Sequence, residues 1–322
     1  MFRRILVPLD GTVDGMAREE QALEAARRLA EREGAQLVLL HVDADGTAAR
    51  VASRAELLDQ VSALSRGGTE AIIHFAYGAT DDSIVSTARE EGADLIVLSP
   101  RQRPLLQSLL QPGVTAELLR HAPAPVLVWP ARLPGTEVDA ALDATCAPVI
   151  VPLDGSPEAE RALPLAAALA QAHQRTLLLA TVAAPLPVLA GLEMSYPGVA
   201  IPVGSEPPED RLREGLRYLG GVRRELQVDT PGLVVQTTGR IGQVAPEVAD
   251  LASAHPGSVV VMTTHGRGRA LRLLLGSVAT ALLSLTPVPL FIVPPQRRSR
   301  RQHDGARVRV EALGTAKARE RG

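Results

Sequence analysis

The stretch VIVPLDGS at residues 149–156 repeats, almost letter for letter, the stretch ILVPLDGT at residues 5–12. Each is a short apolar run that ends in Pro, Leu, Asp, Gly and a hydroxyl residue. The pattern predicts a buried strand followed by a turn, with Asp10 or Asp154 delivered to the C-terminal end of its strand. Agreement over this length indicates that one structural unit occurs twice in the chain.

Helices and strands alternate in both copies after this first strand. An amphipathic helical stretch follows at 17–33 and again at 159–174, and each copy ends in an apolar strand, PVLVWP from Pro125 and VPLFIVPP from Val288. Alternating β and α units predict parallel strands, helices on both faces of the sheet, and ligands at the carboxyl ends of the strands. We therefore expect two tandem doubly wound α/β domains.

The domain boundaries follow from breaks in this pattern. We expect domains at 1–132 and 147–296, joined by a linker at 133–146 in which Pro, Gly and scattered acidic residues interrupt the alternation. The remainder, 297–322, is polar and opens with an Arg-rich run, which is typical of a disordered tail. Contact of that run with an anionic partner is the alternative interpretation.

The composition excludes several classes of partner. The formal net charge of the 322 residues is -2, so no overall basic surface favours nucleic acid. No stretch approaches the roughly 20 apolar residues of a membrane span, and the chain runs from Met1 directly into a strand-like segment rather than a signal peptide. A single cysteine, Cys146, is typical of a reducing compartment. These features predict a cytoplasmic protein.

Signatures of common enzymes are also missing from the sequence. The only lysine is Lys317, near the C-terminus, so the folded body offers neither the lysine of a Walker A loop nor that of a protein kinase. The seven histidines form no H-E-x-x-H or H-x-H pattern, which leaves a metal site unsupported. The sequence therefore predicts a binding module rather than an enzyme, with weak ATP hydrolysis as the most it would support.

One loop of the second copy has residues suited to binding a phosphate. The sequence from Met262 is MTTHGRGRALRLLLGSVATALL, in which nine residues separate Gly266 from Gly276 and Ser277 opens the next helical stretch. A phosphate needs closely approaching backbone N–H groups and a helix N-terminus, and a hydroxyl donor strengthens the site. Glycine permits that close approach. A glycine-rich turn with a helix cap and no ligand is the alternative.

These motifs together resemble the universal stress protein family, whose ATP-binding members carry the pattern G-x2-G-x9-G-[ST]. The resemblance covers about residues 2–130 and 147–295. It implies a five-stranded parallel sheet in the order 3-2-1-4-5 in each copy, lying between helices. It also implies that the chain is a stress-response protein whose second copy binds ATP or a related adenine nucleotide, with or without Mg.

The resemblance assigns nucleotide contacts to particular residues of the second copy. Asp154 would meet the ribose or phosphate region, Val182 would contact adenine, and Met262 and Thr263 would line the base and ribose. The phosphates would be held by Gly266, Gly276, Ser277 and Val278. The last assigned contact is Pro152, two residues before Asp154.

The sequence departs from the family pattern in both copies. Thr263 replaces the first glycine of the second copy, and a β-branched residue does not easily adopt a positive φ. In the first copy Ser99 and Pro112 stand at glycine positions, and proline removes a backbone donor. The first copy therefore keeps only weaker candidates, which are Asp10, Val42, Ser99 and Gly113.

Two functions remain open at this point. The first is a sensor or binding module that holds an adenine nucleotide in the second domain. The alternative is a structural or interaction protein of the same fold that binds no nucleotide, which Thr263 and Pro112 favour. In either case the resemblance implies pairing of the final strands into an intramolecular pseudo-dimer, which protects their edges, and leaves further homodimerisation open.

Overall fold

The computed structural model describes residues 1–9, 13–43, 58–59, 61–62, 64, 67–99, 118–119, 121–130, 147–184, 207–264, 277–285, 288–295 and 308–311. Within these residues the chain is an α/β protein in which apolar strands alternate with amphipathic helices. Only 2% of its residues are aromatic, so Val, Leu, Ile and Ala build most of the core. These small branched side chains suit strands that are buried on both faces.

The first half contains five strands and two described helices. In chain order they are β1 (Arg4–Leu9), α1 (Val13–Glu33), β2 (Gln36–Asp43), β3 (Ala71–Tyr77), α2 (Thr80–Glu90), β4 (Leu95–Leu98) and β5 (Val126–Val128). The second half repeats this order with β6 (Val149–Pro152), α3 (Pro157–Glu160), α4 (Leu163–Ala172), β7 (Leu177–Ala183), α5 (Pro208–Asp229), β8 (Val235–Ile241), α6 (Val244–Ser253), β9 (Val259–Thr263), α7 (Ser277–Leu285) and β10 (Leu290–Val293).

Each half forms the sheet that the sequence predicts. The strand order is β3-β2-β1-β4-β5 in the first half and β8-β7-β6-β9-β10 in the second, and all neighbours within a half are parallel. Both orders are 3-2-1-4-5 when strands are numbered within their own half. The predicted fold class, two tandem doubly wound domains, is confirmed. In each half the strand order reverses between the first and fourth strands, where such folds open a crevice for a ligand.

The two sheets are continuous through their final strands. β10 pairs with β5 in antiparallel register, with Phe291 opposite Leu127. Apolar side chains cross the same boundary, because Phe2 of the first half stacks on Phe291 of the second at a centroid distance of 6.5 Å. Trp129, at the end of β5, is fully buried in a hydrophobic cluster that contains residues of both halves. The halves therefore share one core layer. Assembly into a homodimer stays a prediction.

A buried arginine forms hydrogen bonds with the backbone at the start of the second half. Arg175 lies between α4 and β7 and donates from Nε to the carbonyl oxygen of Ala147 at 2.6 Å, and from Nη2 to those of Pro148 and Gly257. Burial lowers the pKa of Arg175 to about 10, which still leaves the guanidinium charged at neutral pH. The hydrogen bonds to three carbonyl groups offset part of the cost of removing this charge from water.

The helical stretch expected at 159–174 is divided in two. α3 ends at Glu160 and α4 begins at Leu163, with Pro164 in its first turn. Proline has no backbone N–H, so Pro164 cannot donate to the carbonyl group of Glu160, and its ring crowds the preceding turn. The chain therefore leaves the helix at Arg161 and restarts it at a position where proline is tolerated.

The tail differs from its prediction over four residues. Val308–Glu311 forms a strand, β11, that pairs antiparallel with β3, although the sequence predicts that 297–322 is disordered. β3 would otherwise leave a row of backbone N–H and C=O groups unpaired at the edge of the sheet, and alternating valines favour an extended chain. The predicted linker at 133–146 lies outside the described residues. No described helix is both long and apolar enough to cross a membrane.

Candidate functional site

The candidate site lies at the carboxyl edge of the second half, where the sheet order reverses. Parallel register pairs Ile150 of β6 with Val260 of β9, and Pro152 of β6 with Ala180 of β7. Continuing this register by two residues brings Asp154 level with Val182. The ends of β6, β7 and β9 therefore present three groups of predicted site residues along one edge of the sheet.

The turn after β6 holds Asp154 in a defined orientation. Asp154 Oδ1 accepts hydrogen bonds from the backbone N of Ser156 at 2.9 Å and from its Oγ at 2.5 Å. Between them Gly155 has a φ of 79°, which glycine adopts without the steric cost of a Cβ. Asp154 itself is exposed, whereas Ser156 is buried. The PLDGS motif thus forms a rigid turn that presents a carboxylate to solvent.

Ser156 also begins the helix that follows this turn. Its side chain is the N-cap of α3 and accepts a hydrogen bond from the backbone N of Ala159 at 3.2 Å. The hydroxyl group therefore donates to Asp154 and accepts from the helix at the same time. Proline at the first helical position, Pro157, favours this start.

The end of β7 provides the side of the site that the resemblance assigns to the base. Val182 is half-buried and packs against a hydrophobic cluster of the sheet. Beyond it, Arg211 of α5 donates from Nη2 to the carbonyl oxygen of Ala184 at 2.5 Å. A helix on the face of the sheet thus holds the chain that leaves β7.

At the end of β9, Thr263 has a backbone conformation that a β-branched residue can adopt without strain. Thr263 is the last residue of the strand, where it pairs with Val293 of β10, and its side chain is buried. Among the described residues, Gln174 is the only non-glycine residue with a positive φ. Thr263 therefore does not need the positive φ that the glycine at this position of the family pattern could adopt. A β-branched residue suits its extended backbone. Met262 and Thr264 beside it are buried as well.

The phosphate side of the site is described only in part. α7 begins at Ser277, as the sequence predicts, and Val278 in its first turn is half-buried against the hydrophobic cluster. A helix of nine residues therefore starts at the end of the G-x9-G-S segment. Gly266 and Gly276 lie outside the described residues, so their contacts stay predictions.

The first half differs at the matching edge. Val42 is half-buried in β2, and Ser99 follows β4 with a buried Oγ that has no hydrogen-bond partner among the described residues. His41, beside Val42, is buried and its Nδ1 lies 3.3 Å from the carbonyl oxygen of Leu9. At the corresponding position the second half has the smaller Thr181. Asp10 and Gly113 lie outside the described residues.

Sequence reasoning assigned no part in the site to two residues that the structure places there. Ser156 is hydrogen-bonded to Asp154, and its D-x-S spacing before an Ala- and Glu-rich stretch is a cap signal that could have been used. Arg211 lies 27 residues beyond Ala184, and nothing in the local sequence indicates that contact. Among the described residues no group of three or more His, Cys, Asp and Glu could hold a metal ion.

These features define a class of protein, a tandem doubly wound α/β protein with a candidate ligand site at the carboxyl edge of its second sheet. Residues 1–130 and 147–294 both match the universal stress protein family. The chain belongs to that family, and the resemblance seen in its motifs is confirmed.

Individual relatives agree with this membership. The chain is 31% identical over 146 residues to a universal stress protein of Mycolicibacterium smegmatis, a match that covers 45% of this chain and 47% of that protein. The chain thus spans about half the length of this curated relative. Among solved structures, a universal stress protein of Archaeoglobus fulgidus superposes with a TM-score of 0.61 at 18% identity, covering 90% of this chain and 96% of that one.

A second solved structure shows the same architecture. A protein of unknown function from Pseudomonas aeruginosa superposes with a TM-score of 0.59 at 18% identity, covering 91% of this chain and 93% of that one. At this level of identity the two structural likenesses show the fold alone. They extend over both halves, so the tandem arrangement is shared with these proteins.

Proposed function

We propose that this chain binds an adenine nucleotide, ATP or a close relative, at the carboxyl edge of its second half, and acts as a sensor or binding module in a stress response. The observation that carries the proposal is the PLDGS turn. Its Asp154 carboxylate is fixed by Ser156 and exposed at the point where the strand order reverses. A carboxylate in this place is suited to accept hydrogen bonds from ribose hydroxyl groups.

Two further features support the same ligand. The start of α7 at Ser277 supplies a helix N-terminus next in sequence to the glycine-containing loop, and such an end favours a phosphate. Thr263 lies in a regular strand without a positive φ. The substitution of glycine by threonine therefore adds bulk beside the ribose without straining the backbone.

The proposed nucleotide binding does not depend on a Mg²⁺ ion held by the protein. Asp154 is exposed at this edge, and the described residues contain no group of three or more His, Cys, Asp and Glu that could hold a metal ion. We therefore propose nucleotide binding with or without Mg²⁺, in which any metal arrives on the phosphates. Hydrolysis is not part of the proposal.

Thermal unfolding of the purified chain with ATP, AMP and cyclic AMP, each with and without Mg²⁺, tests the proposal. A ligand that binds only the folded chain raises the melting temperature by mass action. Calorimetric titration should then give one site per chain. Absence of any shift at millimolar nucleotide would overturn the proposal and favour the alternative, a structural or interaction protein of the same fold.

A pair of matched variants assigns the site to one half. We expect Asp154→Ala to weaken binding about tenfold or more, since a charge-assisted hydrogen bond contributes roughly 1.5–3 kcal/mol. Asp10→Ala removes the carboxylate of the same PLDG motif in the first half and should leave the affinity unchanged. Equal losses in the two variants would place the ligand elsewhere or in both halves.

A further inference from the structure

We propose that Arg211 is a positioning residue for the base-binding side of the nucleotide site, through its hydrogen bond to Ala184. The inference rests on the proposed function, since it concerns the same site, but no sequence motif assigns Arg211 any role. It follows from how α5 is packed, from the contacts of its guanidinium, and from the charges around it.

The start of α5 is held unusually close to the sheet. A Cβ atom built on Gly215 would lie 2.9 Å from both Cγ2 and Oγ1 of Thr181 in β7, so only glycine permits this approach. Gly239 of β8 faces the same helix from the sheet side, where a Cβ would lie 2.5 Å from Cδ1 of Leu212 and the leucine side chain would have to turn aside. The first turns of α5 are therefore fixed over β7 and β8 by close backbone approach.

Arg211 uses this fixed helix to reach the end of β7. Its Nη2 donates to the carbonyl oxygen of Ala184 at 2.5 Å, two residues beyond Val182. The preceding carbonyl group, that of Ala183, accepts from the backbone N of Gly242 at 3.2 Å. Gly242 thus holds Ala183 and Arg211 holds Ala184, so the two residues that follow Val182, the residue expected to contact adenine, are fixed by hydrogen bonds.

The carboxylate that directly precedes Arg211 in the sequence has a different partner. Asp210 pairs instead with Arg213, at 2.5 Å, on the exposed side of the helix. Arg211 Nε is a buried nitrogen with no hydrogen-bond partner among the described residues. A buried donor that stays unpaired costs free energy.

The experiment compares Arg211→Ala with Arg213→Ala, a matched control two residues along the same helix with a 72% exposed side chain. We expect Arg211→Ala to weaken ATP binding about tenfold and Arg213→Ala to leave it within twofold of the unaltered chain. Inorganic tripolyphosphate is the second probe. It has no base, so Arg211→Ala should not change its affinity if Arg211 acts on the base side.

The variant Arg211→Lys distinguishes the loss of the hydrogen bond to Ala184 from a general folding defect. Lysine can still donate to the carbonyl group of Ala184, so this variant should recover part of the lost ATP affinity without changing tripolyphosphate binding. Hydrogen exchange measured without nucleotide provides an independent readout. Amides of the peptide covering residues 177–184 should exchange about tenfold faster in Arg211→Ala than in Arg213→Ala.

The outcomes separate the two proposals. If the unaltered chain binds ATP and Arg211→Ala binds it equally well, the role of Arg211 is overturned and the function stands. If ATP and tripolyphosphate weaken together, Arg211 acts as a general positive charge, which also overturns it. If the unaltered chain binds no nucleotide, the proposed function fails, and the role of Arg211 in that site fails with it whatever the exchange rates show.

Discussion

Ser156 shows how one side chain can link a site to the fold. Its Oγ donates to Asp154 Oδ1 and accepts from the backbone N of Ala159, so the cap of α3 and the orientation of the carboxylate depend on the same atom. A small hydroxyl residue is the natural choice here, because it can donate and accept at once. Glycine or alanine at this position would lose both contacts.

We expect Ser156→Ala to lower the free energy of unfolding by about 1 kcal/mol, the usual effect of removing an N-cap. Urea denaturation followed by circular dichroism measures it. Ser86→Ala is the control, because Ser86 Oγ donates to the carbonyl oxygen of Asp82 within α2 and caps nothing. That change should be neutral or slightly stabilising. Equal stabilities for the two variants would contradict the capping role.

At the scale of elements, α5 combines two kinds of glycine. Gly215 faces Thr181 and has no room for a methyl group, whereas Gly221, six residues later, has nothing within 4 Å of a built Cβ. The first glycine is required by packing against the sheet. The second only weakens the helix, because glycine loses more conformational freedom on folding than alanine does.

Alanine at these two positions should therefore have opposite effects. Gly215→Ala is expected to destabilise the chain by about 1–3 kcal/mol, since Thr181 is buried, β-branched and unable to move aside. Gly221→Ala should stabilise it by up to about 1 kcal/mol. Chemical denaturation of both variants tests the pair. Stabilisation by Gly215→Ala would show that α5 is not held at this distance from β7.

The elements differ in how far the sequence predicts them. The two copies and their parallel strands could be predicted because VPLDG occurs twice and because β and α segments alternate, whereas the strand order is implied by the resemblance to the universal stress protein family. The sequence predicts one helix at 159–174, although Pro164 marks the break between α3 and α4. Contacts between distant residues could not be predicted in the same way. Arg211 meets Ala184 only because α5 lies on β7, and the φ of Thr263 depends on its pairing with β10. β11 depends on an open edge elsewhere in the sheet.

At the scale of the whole molecule, His173 lies where the two halves meet. Burial lowers its pKa from the ordinary value of 6.5, against the opposing effect of the Glu33 carboxylate from the first half. Arg32, Arg175 and the amino group of Met1 lower the pKa further. The N-terminal amino group is itself paired with Glu33. A histidine of the second half is thus surrounded by charges of both halves.

This environment makes the stability of the chain depend on pH. As the pH falls through about 6.5, His173 becomes protonated in the unfolded chain before it does so in the folded chain. The free energy of unfolding therefore decreases below this pH, and it continues to decrease until the pH has passed the lower pKa of the folded state. His173→Gln should therefore lose less stability than the unaltered chain between pH 7 and pH 5. Urea midpoints across this range measure it. Parallel curves for the two proteins would show that His173 does not contribute.

The antiparallel pairing of β5 with β10 has a consequence for how the two copies can diverge. Because parallel strands run towards the carboxyl edge in each half, joining the halves antiparallel directs those two edges to opposite sides of the continuous sheet. Ser99, which follows β4 in the first half, therefore lies at the opposite edge of the sheet from Asp154. Because the two edges are separated in this geometry, a substitution at one of them need not disturb the other, and the two copies can diverge independently.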